Sequence, residues 1–343
     1  MPAATSDAFL TRARFTRVLC LLALVLLAAM LTSALVGAEP IHLGRALLGD
    51  GPDNLDRLIL LRIRLPRVLL AVLVGGALAA AGTTLQALLR NPLADPHMLG
   101  VSGGAGVGAA AMLMLAGAGG ALSLLLVPLG AFAGALLAMG LVYRLGSVHG
   151  RLQPYMFLLA GVVTNAFAGA LIMTLNAVAD FFQAQGILFW LLGSLQTQSY
   201  GLVAASALYL LIGVVWLMRH TRAFNVLTLG EEGAAQLGID VARTRRSAFV
   251  VSSLLVGASV SVSGMIGFVG LIVPHVTRLL IGPDYRLLLP AAVLMGATFL
   301  LLADTVARSA FGATEIPVGV VTALCGGPFF IYLLRREGGR GVE

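Results

Sequence analysis

The sequence contains no lysine, and all 22 of its basic residues are arginine. A Walker A loop uses a lysine to hold the phosphates of ATP, and Schiff-base chemistry needs a lysine amine. The absence of lysine therefore excludes an ordinary P-loop ATPase and every lysine-dependent covalent mechanism from this chain itself.

Charge of either sign is scarce, since 11% of the 343 residues are charged and 59% are hydrophobic. A soluble domain carries about 25% charged residues. Apolar runs long enough to cross a bilayer recur over residues 18–334, which is typical of a polytopic membrane protein. This pattern excludes a soluble enzyme and a single-anchor protein. We attribute the net charge of +7 to arginines that flank membrane spans rather than to nucleic-acid binding.

Metal-binding and catalytic side chains are also few. The two cysteines, Cys20 and Cys325, lie inside apolar runs and are expected to be small buried side chains. The five histidines are scattered without ligand spacing, so we expect no metal and no cofactor bound by this chain. No Ser-His-Asp set, HExxH motif or paired-carboxylate spacing is present, so we expect a chain that is not an enzyme.

Hydropathy predicts an all-α membrane protein with about ten transmembrane helices. The first apolar run is longer than the core of a signal peptide and is interpreted as a retained span. Residues 39–63 are expected to form a polar loop, and 269–281 are too few to cross the bilayer upright. The predicted spans are 18–38, 66–88, 97–116, 121–143, 154–179, 198–218, 247–267, 269–281, 287–307 and 316–334.

Arginine placement predicts the orientation and the domain limits. With the N-terminus inside, sixteen arginines fall on the cytoplasmic side and both termini are cytoplasmic. We expect residues 1–17 to be a cytoplasmic segment, 18–335 a single ten-helix domain, and 336–343 a cytoplasmic tail. The six arginines on the outer side are Arg45, Arg57, Arg62, Arg64, Arg67 and Arg308.

Glycine is abundant, at 42 residues, and some of it is periodic. Gly100, Gly104 and Gly108 recur at four-residue spacing, as do Gly130 and Gly134. On a helix this spacing makes a smooth stripe that lets a neighbouring backbone approach closely. We expect the stripe to pack within the chain rather than to form a dimer seam.

Residues 225–240 lie in the longest cytoplasmic connection and predict a short surface helix. Gly230 breaks the chain, the two acids that follow suit a helix N-terminus, and Gly238 is a C-terminal stop. Ala234, Ala235 and Leu237 are expected to form an apolar face. Such a helix either lies flat on lipid or docks into a partner protein. Its acids suit an anionic leaflet poorly, which favours the partner.

Three further segments leave alternatives open. The outer arginines fit snorkelling anchors or a landing site for an acidic partner, and Asp304 and Arg308 also fit an i,i+4 pair. Residues 91–100 are turn-rich and fit a cytoplasmic gate or a plain connector. Asp180, Asp304 and Glu315 all fall near span ends, which weighs against an ion-coupled carrier.

Together these segments resemble the FecCD-type permeases, the inner-membrane subunits of bacterial ABC importers for vitamin B12, ferric siderophores and haem. The resemblance covers residues 19–335. It is carried by Arg62-Ile-Arg-Leu-Pro-Arg67, Gln86-Ala-Leu-Leu-Arg-Asn-Pro-Leu-Ala-Asp95, Leu99-Gly-Val-Ser-Gly-Gly-Ala-Gly106, Leu229-Gly-Glu-Glu-Gly-Ala-Ala-Gln-Leu-Gly238, Gly267-Phe-Val-Gly-Leu-Ile-Val-Pro-His-Val-Thr-Arg278, Leu302-Ala-Asp-Thr-Val-Ala-Arg308 and Glu315-Ile-Pro-Val-Gly-Val-Val-Thr322.

The resemblance implies a type II ABC importer permease fold in the bacterial inner membrane. It implies a homodimer in the lipid bilayer, two cytoplasmic ABC ATPase subunits that hold ATP and Mg, and a periplasmic substrate-binding protein. The cargo implied is a ferric siderophore, cobalamin or haem. Haem is disfavoured because residues 164–198 lack the pathway arginine that haem-importing members can carry.

The resemblance also assigns roles to individual residues. Arg64, Arg67 and Arg308 match arginines that dock the binding protein. Asn91 and Leu93 match a cytoplasmic gate, to which Pro154 and Tyr155 are added at the start of the pathway-lining helix. There the cobalamin permeases have small hydroxyl residues instead. The ATPase-coupling helix matches Leu229, Gly230, Glu231, Glu232, Ala235, Gln236, Leu237 and Gly238.

Two other classes remain as alternatives. An ion-coupled secondary transporter would act without an ATPase and follow a proton or sodium gradient. A membrane scaffold would use the same arginines and the same surface helix only as partner contacts.

Overall fold

The computed structural model describes residues 10–37, 39–48, 54–116, 121–148, 151–195, 199–310 and 314–338. Helices dominate this part of the chain, and the strand pair Ser147–Val148 and Arg151–Leu152 forms one short antiparallel hairpin. The helices are α1 Arg12–Leu35, α2 Leu43–Leu48, α3 Leu55–Leu58, α4 Leu65–Leu89, α5 Val101–Ala116, α6 Ala121–Gly146, α7 Pro154–Val178, α8 Phe181–Leu191, α9 Tyr200–Arg219, α10 Thr221–Leu227, α11 Glu231–Gln236, α12 Val241–Ser263, α13 Val269–Ile281, α14 Tyr285–Ser309 and α15 Val318–Gly338.

The all-α polytopic fold is confirmed, whereas the count of ten spans is not. Within the described ranges, α1, the continuous Leu55–Leu89 helix, α6, α7, α9, α12 and α14 are long and apolar enough to cross a membrane. Shorter apolar helices cover 101–116, 181–191, 269–281 and 318–333. The domain limits stay predictions, and residues 1–9 and 339–343 lie outside the described part.

The predicted polar loop over 39–63 is wrong, because α2 covers Leu43–Leu48 and a second helical stretch begins at Leu55. Asn54 accepts a hydrogen bond from the backbone N–H of Arg57 and so begins α3. A π-helical turn over Ile59–Arg64 then carries the chain into α4 without a break. Proline at position 66 directly follows the π-helical turn, where the regular hydrogen-bond ladder of the helix is already interrupted. Arg64 and Arg67 therefore lie on one continuous helix.

Side-chain caps explain the other differences in helix bounds. The hydroxyl of Thr11 caps α1, which begins six residues before the predicted span. Asp240 caps α12 through the N–H of Arg243, so the arginine-rich stretch after it is helical. Asp180 and Gln183 form a reciprocal capping box that begins α8, a helix that lies in the gap between the predicted spans 154–179 and 198–218.

The core of the bundle is built around α4. Its hydrophobic window is 83% buried, whereas that of α1 is 11% buried. Helices α9, α12, α13 and α14 all pack against α4, and α1 contacts α14 at the outside. Cys20 on α1 and Cys325 on α15 are both exposed, so the expectation of buried thiols is wrong. They project from outer faces of the bundle that the bilayer or another chain would cover.

The glycine stripe packs inside the chain, as expected. A β-carbon on Gly108 would lie 2.0 Å from the carbonyl oxygen of Gly130, and one on Gly134 would lie 2.1 Å from that of Gly104. Real atoms do not approach so closely, so the backbones of α5 and α6 touch along this seam.

Replacing Gly108 with alanine is expected to force α5 and α6 apart and to cost about 1–3 kcal/mol, as overpacking of a close contact does. Thermal unfolding of the purified protein in detergent measures the effect. Gly140→Ala is the matched control, because Gly140 lies in α6 with nothing within 4 Å of its β-carbon position. Equal melting temperatures for the two variants would contradict the seam.

Two helix breaks meet inside the bundle. One is the 3-10 turn Pro96–Leu99, which Asp95 caps before α5 begins. The other is the connection between α12 and α13, where Phe268 adopts a left-handed conformation at φ 68°. Irregular backbone at membrane depth occurs where it is covered by protein or lines a cavity. Both breaks border the same cavity, together with the start of α15.

Candidate functional site

A buried cluster of charges joins α4 to α14. The Arg67 guanidinium donates from Nε to both carboxylate oxygens of Asp304 at 3.0 Å, and its remaining nitrogens reach Asp304 at 2.9 Å and Glu315 at 2.7 Å. Asp304 has no exposed surface, whereas the side chain of Glu315 is 49% exposed. Arg67 is therefore held by one fully buried carboxylate and one accessible carboxylate.

Two further arginines complete this charge cluster, which we define as Arg64, Arg67, Asp304, Arg308 and Glu315. Arg308 lies 3.6 Å from Asp304 and donates to the hydroxyl and the backbone carbonyl of Ser33 on α1. Arg64 donates to the carbonyl oxygens of residues 34, 35 and 39, which end α1 and follow it. The cluster fastens α1, α4 and α14 together at one end of the bundle.

The three predicted docking arginines are therefore buried, with 4%, 6% and 3% of their surface exposed for Arg64, Arg67 and Arg308. The i,i+4 pair of Asp304 and Arg308 is present. Three positive and two negative side chains leave the cluster one positive charge in excess. Docking of an acidic partner stays a prediction, and it would require that partner to exchange with an internal carboxylate.

The predicted coupling segment lies at the other end of the bundle. Helix α11 covers Glu231–Gln236, and the glycines at 230 and 238 flank it with φ of +111° and +80°. Both are values that favour glycine, so the predicted break and stop are where the sequence placed them. The Arg90 guanidinium, at the end of α4, lies 3.8 Å from the β-carbon position of Gly230.

Some side chains of this segment contact the rest of the protein, and others are exposed. Ala234 is buried, and Glu231 forms an ion pair with Arg245 on α12. Leu229 and Leu237 are 72% and 64% exposed. The expected single apolar face is thus wrong, because Ala234 points inward while Leu237 points outward. Glu232, Ala235 and Gln236 are also exposed, which leaves a mixed surface free to contact another protein.

A second anchor of this segment was missed by sequence reasoning. Asn225 on α10 donates to the Asp284 carboxylate at 2.8 Å and accepts from the N–H of Tyr285 at 2.8 Å. Hydrogen bonds from Arg286 lower the pKa of Asp284 to about 2, so this carboxylate is ionised at neutral pH. The aspartate before a helix signals a cap, but its distant asparagine partner leaves no local pattern.

The charge cluster and the coupling segment face opposite sides of the bundle. Arg67 lies near the start of α4 and Arg90 directly follows its end. At 1.5 Å per residue, the helix separates them by roughly 35 Å, which is enough to cross a bilayer. A single buried helix therefore connects the two candidate sites.

The predicted gate residues lie in two places. Asn91 accepts from the N–H of Leu93 at 2.9 Å, which closes a turn just after α4. Pro154 is the first residue of α7, where the helix tolerates a missing N–H, and Tyr155 beside it is 75% exposed. Leu93 also lines the cavity between the two helix breaks. The gating role of these residues stays a prediction.

Comparison with known sequences identifies several relatives. The profile of the FecCD transport family matches residues 20–336. The cobalamin import system permease of Halobacterium salinarum is 44% identical over 83% of this chain and 75% of that protein. The hemin transport system permease of Yersinia pestis is 42% identical over 92% and 94%. The vitamin B12 import permease of Klebsiella pneumoniae is 39% identical over 97% and 98%.

Solved structures agree with the sequence relatives. A protein described as a metal-chelate type ABC transporter, in an inward-facing conformation, superposes with a TM-score of 0.81 at 31% identity, covering 94% of this chain and 99% of that one. PsaBC from Streptococcus pneumoniae superposes with a TM-score of 0.53 at 17% identity, a likeness of fold alone. The type II permease fold is thereby confirmed.

Proposed function

Because the chain belongs to the FecCD transport family, we propose that it is the permease subunit of an ATP-driven importer of metal chelates. The family consists of transport subunits rather than enzymes. On this proposal the chain forms a homodimer, and ATP and Mg are bound by two separate cytoplasmic ATPase subunits. Cargo arrives on a periplasmic binding protein. The chain itself forms the translocation path and carries the coupling segment that transmits the movement of the ATPases.

One observation carries this proposal. An exposed helix between two left-handed glycines is fixed to the bundle by internal contacts on one side only. Its inner side is held by Ala234 and by the Glu231–Arg245 pair, and its outer side presents Leu229 and Leu237. Exposed apolar residues beside exposed acids suit the surface of a protein partner better than an anionic lipid leaflet.

The contacts of the coupling segment suggest how force would reach the transmembrane helices. Glu231 links α11 to α12 through Arg245, and Asn225 links α10 to the start of α14 through Asp284. When the ATPases close on ATP, they would pull on Leu229–Gly238 and move both links together. In a pair of bundles, this movement would switch access to the central path from one side of the membrane to the other.

The proposed orientation places the coupling segment in the cytoplasm and the charge cluster outside. Arginines 219, 222, 243, 245 and 246 surround the coupling segment, as the positive-inside rule requires. Both termini are then cytoplasmic in the bacterial inner membrane. The chain is a multi-pass membrane protein. The assignment of its cytoplasmic side rests on the arginines around the coupling segment.

We expect an acidic side chain of the binding protein to dock on Arg67 by displacing Glu315, the accessible carboxylate that pairs with this arginine. Glu315→Gln removes the half-exposed carboxylate and leaves the buried Asp304 pair in place. We expect this variant to bind the binding protein more tightly at low salt, because an incoming acid no longer competes with Glu315. The gain shrinks at high salt, where such attraction is screened. Surface plasmon resonance at two ionic strengths measures it; unchanged affinity at both refutes docking through Arg67.

Co-purification tests the proposed partnership directly. The chain is expressed together with the ABC ATPase subunits of its host and is purified in mild detergent. We expect a complex of two permease and two ATPase chains by light scattering. Recovery of the permease alone, folded and without the ATPase, would overturn the proposal and favour a secondary transporter or a scaffold.

A further inference from the structure

The start of α1 and the end of α13 meet on the same side of the bundle as the coupling segment. Arg14 on α1 donates from Nη2 to the carbonyl oxygen of Ile281, the last residue of α13, at 3.0 Å. The loop after α13 holds Asp284, whose carboxylate is bonded by Asn225 next to the coupling segment and by Arg286. In the proposed orientation this junction of α1 and α13 therefore lies at the cytoplasmic surface of the membrane.

The junction carries two guanidinium groups that no described carboxylate neutralises. No ion pair among the described side chains includes Arg14 or Arg278. Arg278 lies one turn before the end of α13 and donates to the neutral oxygens of Gln86 at 3.3 Å and Tyr285 at 3.2 Å. Two positive charges thus meet here without a negative partner from the described part of the chain.

Both guanidinium groups keep free hydrogen-bond donors. Arg14 and Arg278 each donate from Nη2 alone within the described ranges, so Nε and Nη1 have no acceptor there. Both residues are half-buried, so their side chains are held against neighbouring helices rather than extended into water. The planar fork of an arginine matches two oxygens of a phosphate, and a fork that is already held in place loses little freedom on binding one.

Exposed leucines accompany the two arginines on both helices. On α13, Leu279 and Leu280 follow Arg278 and are 61% and 68% exposed. On α1, Leu21 is 61% exposed. It follows Arg14 by seven residues, so the two share one face of the helix and lie about 10 Å apart along it. A positive group at the membrane surface with apolar side chains below it matches the phosphate and the acyl chains of a phospholipid.

We propose that this junction, defined by Arg14, Leu21, Arg278, Leu279 and Leu280, binds an anionic phospholipid. The phosphate accepts from the free guanidinium nitrogens, and an acyl chain lies along the leucines. The inference rests on the proposed function, because the proposed orientation places the junction in the cytoplasmic leaflet, where anionic lipids attract basic segments. A soluble phosphate would satisfy the arginines and leave the leucines uncovered, so we assign the site to a lipid.

A lipid at this position would attach α1 to the bundle at its cytoplasmic end. The hydrophobic window of α1 is 11% buried, so this helix has little packing of its own. Its other end is fastened by Ser33, which accepts from Arg308 in the charge cluster. A phosphate that bridges Arg14 and Arg278 would supply the matching attachment between α1 and α13.

Native mass spectrometry of the full chain tests the site. The chain is titrated with phosphatidylglycerol or phosphatidylcholine carrying the same oleoyl chains, which separates the headgroup charge from the apolar contact. We expect the wild type to bind phosphatidylglycerol at least about tenfold more tightly, since two arginines contribute. Arg14→Gln should lose about fivefold in this affinity, the effect of one basic residue at an anionic surface. Arg278→Gln is an independent second variant and should show a loss of similar size.

Arg12→Gln is the matched control, because it removes the same charge from the same turn of α1 at an exposed position. It should bind phosphatidylglycerol like the wild type, and Arg14→Lys should keep part of the affinity. Equal losses in Arg12→Gln and Arg14→Gln would overturn the proposal in favour of a diffuse charge effect. Thermal stabilisation by inorganic phosphate equal to that by phosphatidylglycerol would also overturn it, because the arginines would then bind a soluble anion.

Uptake into proteoliposomes separates this inference from the proposed function. If ATP-driven uptake of a chelate occurs while phosphatidylglycerol binds the wild type and Arg14→Gln alike, the inference fails and the proposed function stands. If lipid binding depends on Arg14 but no chelate is taken up with ATP, the proposed function fails and the lipid site remains.

Discussion

Replacing Asp304 with asparagine is expected to lower the stability of the protein more than any other single change discussed for this chain. Asp304 is completely buried and is the shared counter-charge of Arg67 and Arg308. Removing one partner of a buried ion pair costs about 3–5 kcal/mol, because the remaining charge stays buried without compensation. Here two arginines are left with one half-exposed glutamate.

Thermal unfolding in detergent and the yield of monodisperse protein measure this effect. Glu315→Gln is the matched control, since it removes a carboxylate from the same arginine at an accessible position. Partly exposed pairs contribute about 0–1 kcal/mol, so its melting temperature should stay near that of the wild type. Asp304→Asn melting within about one degree of the wild type would show that the cluster does not hold the bundle together.

A double variant separates charge from packing. Asp304→Asn combined with Arg308→Met removes a positive charge along with the negative one, and methionine fills a similar volume. We expect it to recover part of the lost stability, because fewer buried charges then lack a partner. Additive losses in the double variant would mean that Asp304 acts through shape rather than through charge.

The second large effect is expected from the coupling segment. Leu229→Asp combined with Leu237→Asp should abolish ATPase binding while the bundle stays folded. Both leucines are more than half exposed, so the changes bury no charge within this chain. In a partner interface the same two positions would be desolvated, and truncating a central apolar residue there costs about 2 kcal/mol or more. Two introduced acids should therefore lower affinity by over a hundredfold.

Pull-down with the ATPase and thermal unfolding measure the two halves of this prediction. The control replaces both leucines with methionine, which keeps the apolar surface and should retain binding. Loss of binding together with loss of thermal stability would indicate misfolding instead of a lost interface. Full ATPase binding by the aspartate variant would show that the partner contacts a different surface.

Local sequence signals predicted helix bounds and close helix contacts well where glycine or a hydrophobic run determines the backbone conformation. The span 269–281 matches α13 at both ends, and the glycines at 230 and 238 end helices as expected. The stripe of Gly104 and Gly108 also pairs with Gly130 and Gly134 inside the chain. In each case the physical cause lies within a few residues of the element it shapes.

Long-range polar contacts could not be predicted in the same way. Arg67 and Asp304 are 237 residues apart, and nothing near either residue announces the other. From the sequence, Arg64, Arg67 and Arg308 were expected to be exposed on the outer side. In the structure they are buried, and their charges are paired with carboxylates or with carbonyl oxygens at the end of α1. The polar appearance of residues 54–64 likewise concealed a helix, in which Arg57 and Arg62 are exposed while Arg64 turns inward. A buried charge is invisible to hydropathy unless its partner is known.

The charge cluster also bears on the alternative of an ion-coupled carrier. Such a carrier needs an ionisable group at membrane depth that can bind and release a cation. Asp304 is the fully buried carboxylate within the described spans, and two arginines already neutralise it. A cation would have to displace a guanidinium held at 2.9 Å. Because the Asp304 carboxylate is already paired with arginines, the structure favours transport driven by a separate ATPase over transport driven by an ion gradient.

Uptake into proteoliposomes tests the central claim most directly. The permease, its ATPase and the binding protein are reconstituted, and accumulation of a radiolabelled chelate is followed with ATP supplied on the ATPase side. The account predicts uptake that requires ATP, persists when proton and sodium gradients are collapsed, and disappears in the Leu229→Asp, Leu237→Asp variant. Uptake by the permease alone, driven by an ion gradient and indifferent to ATP, would contradict it.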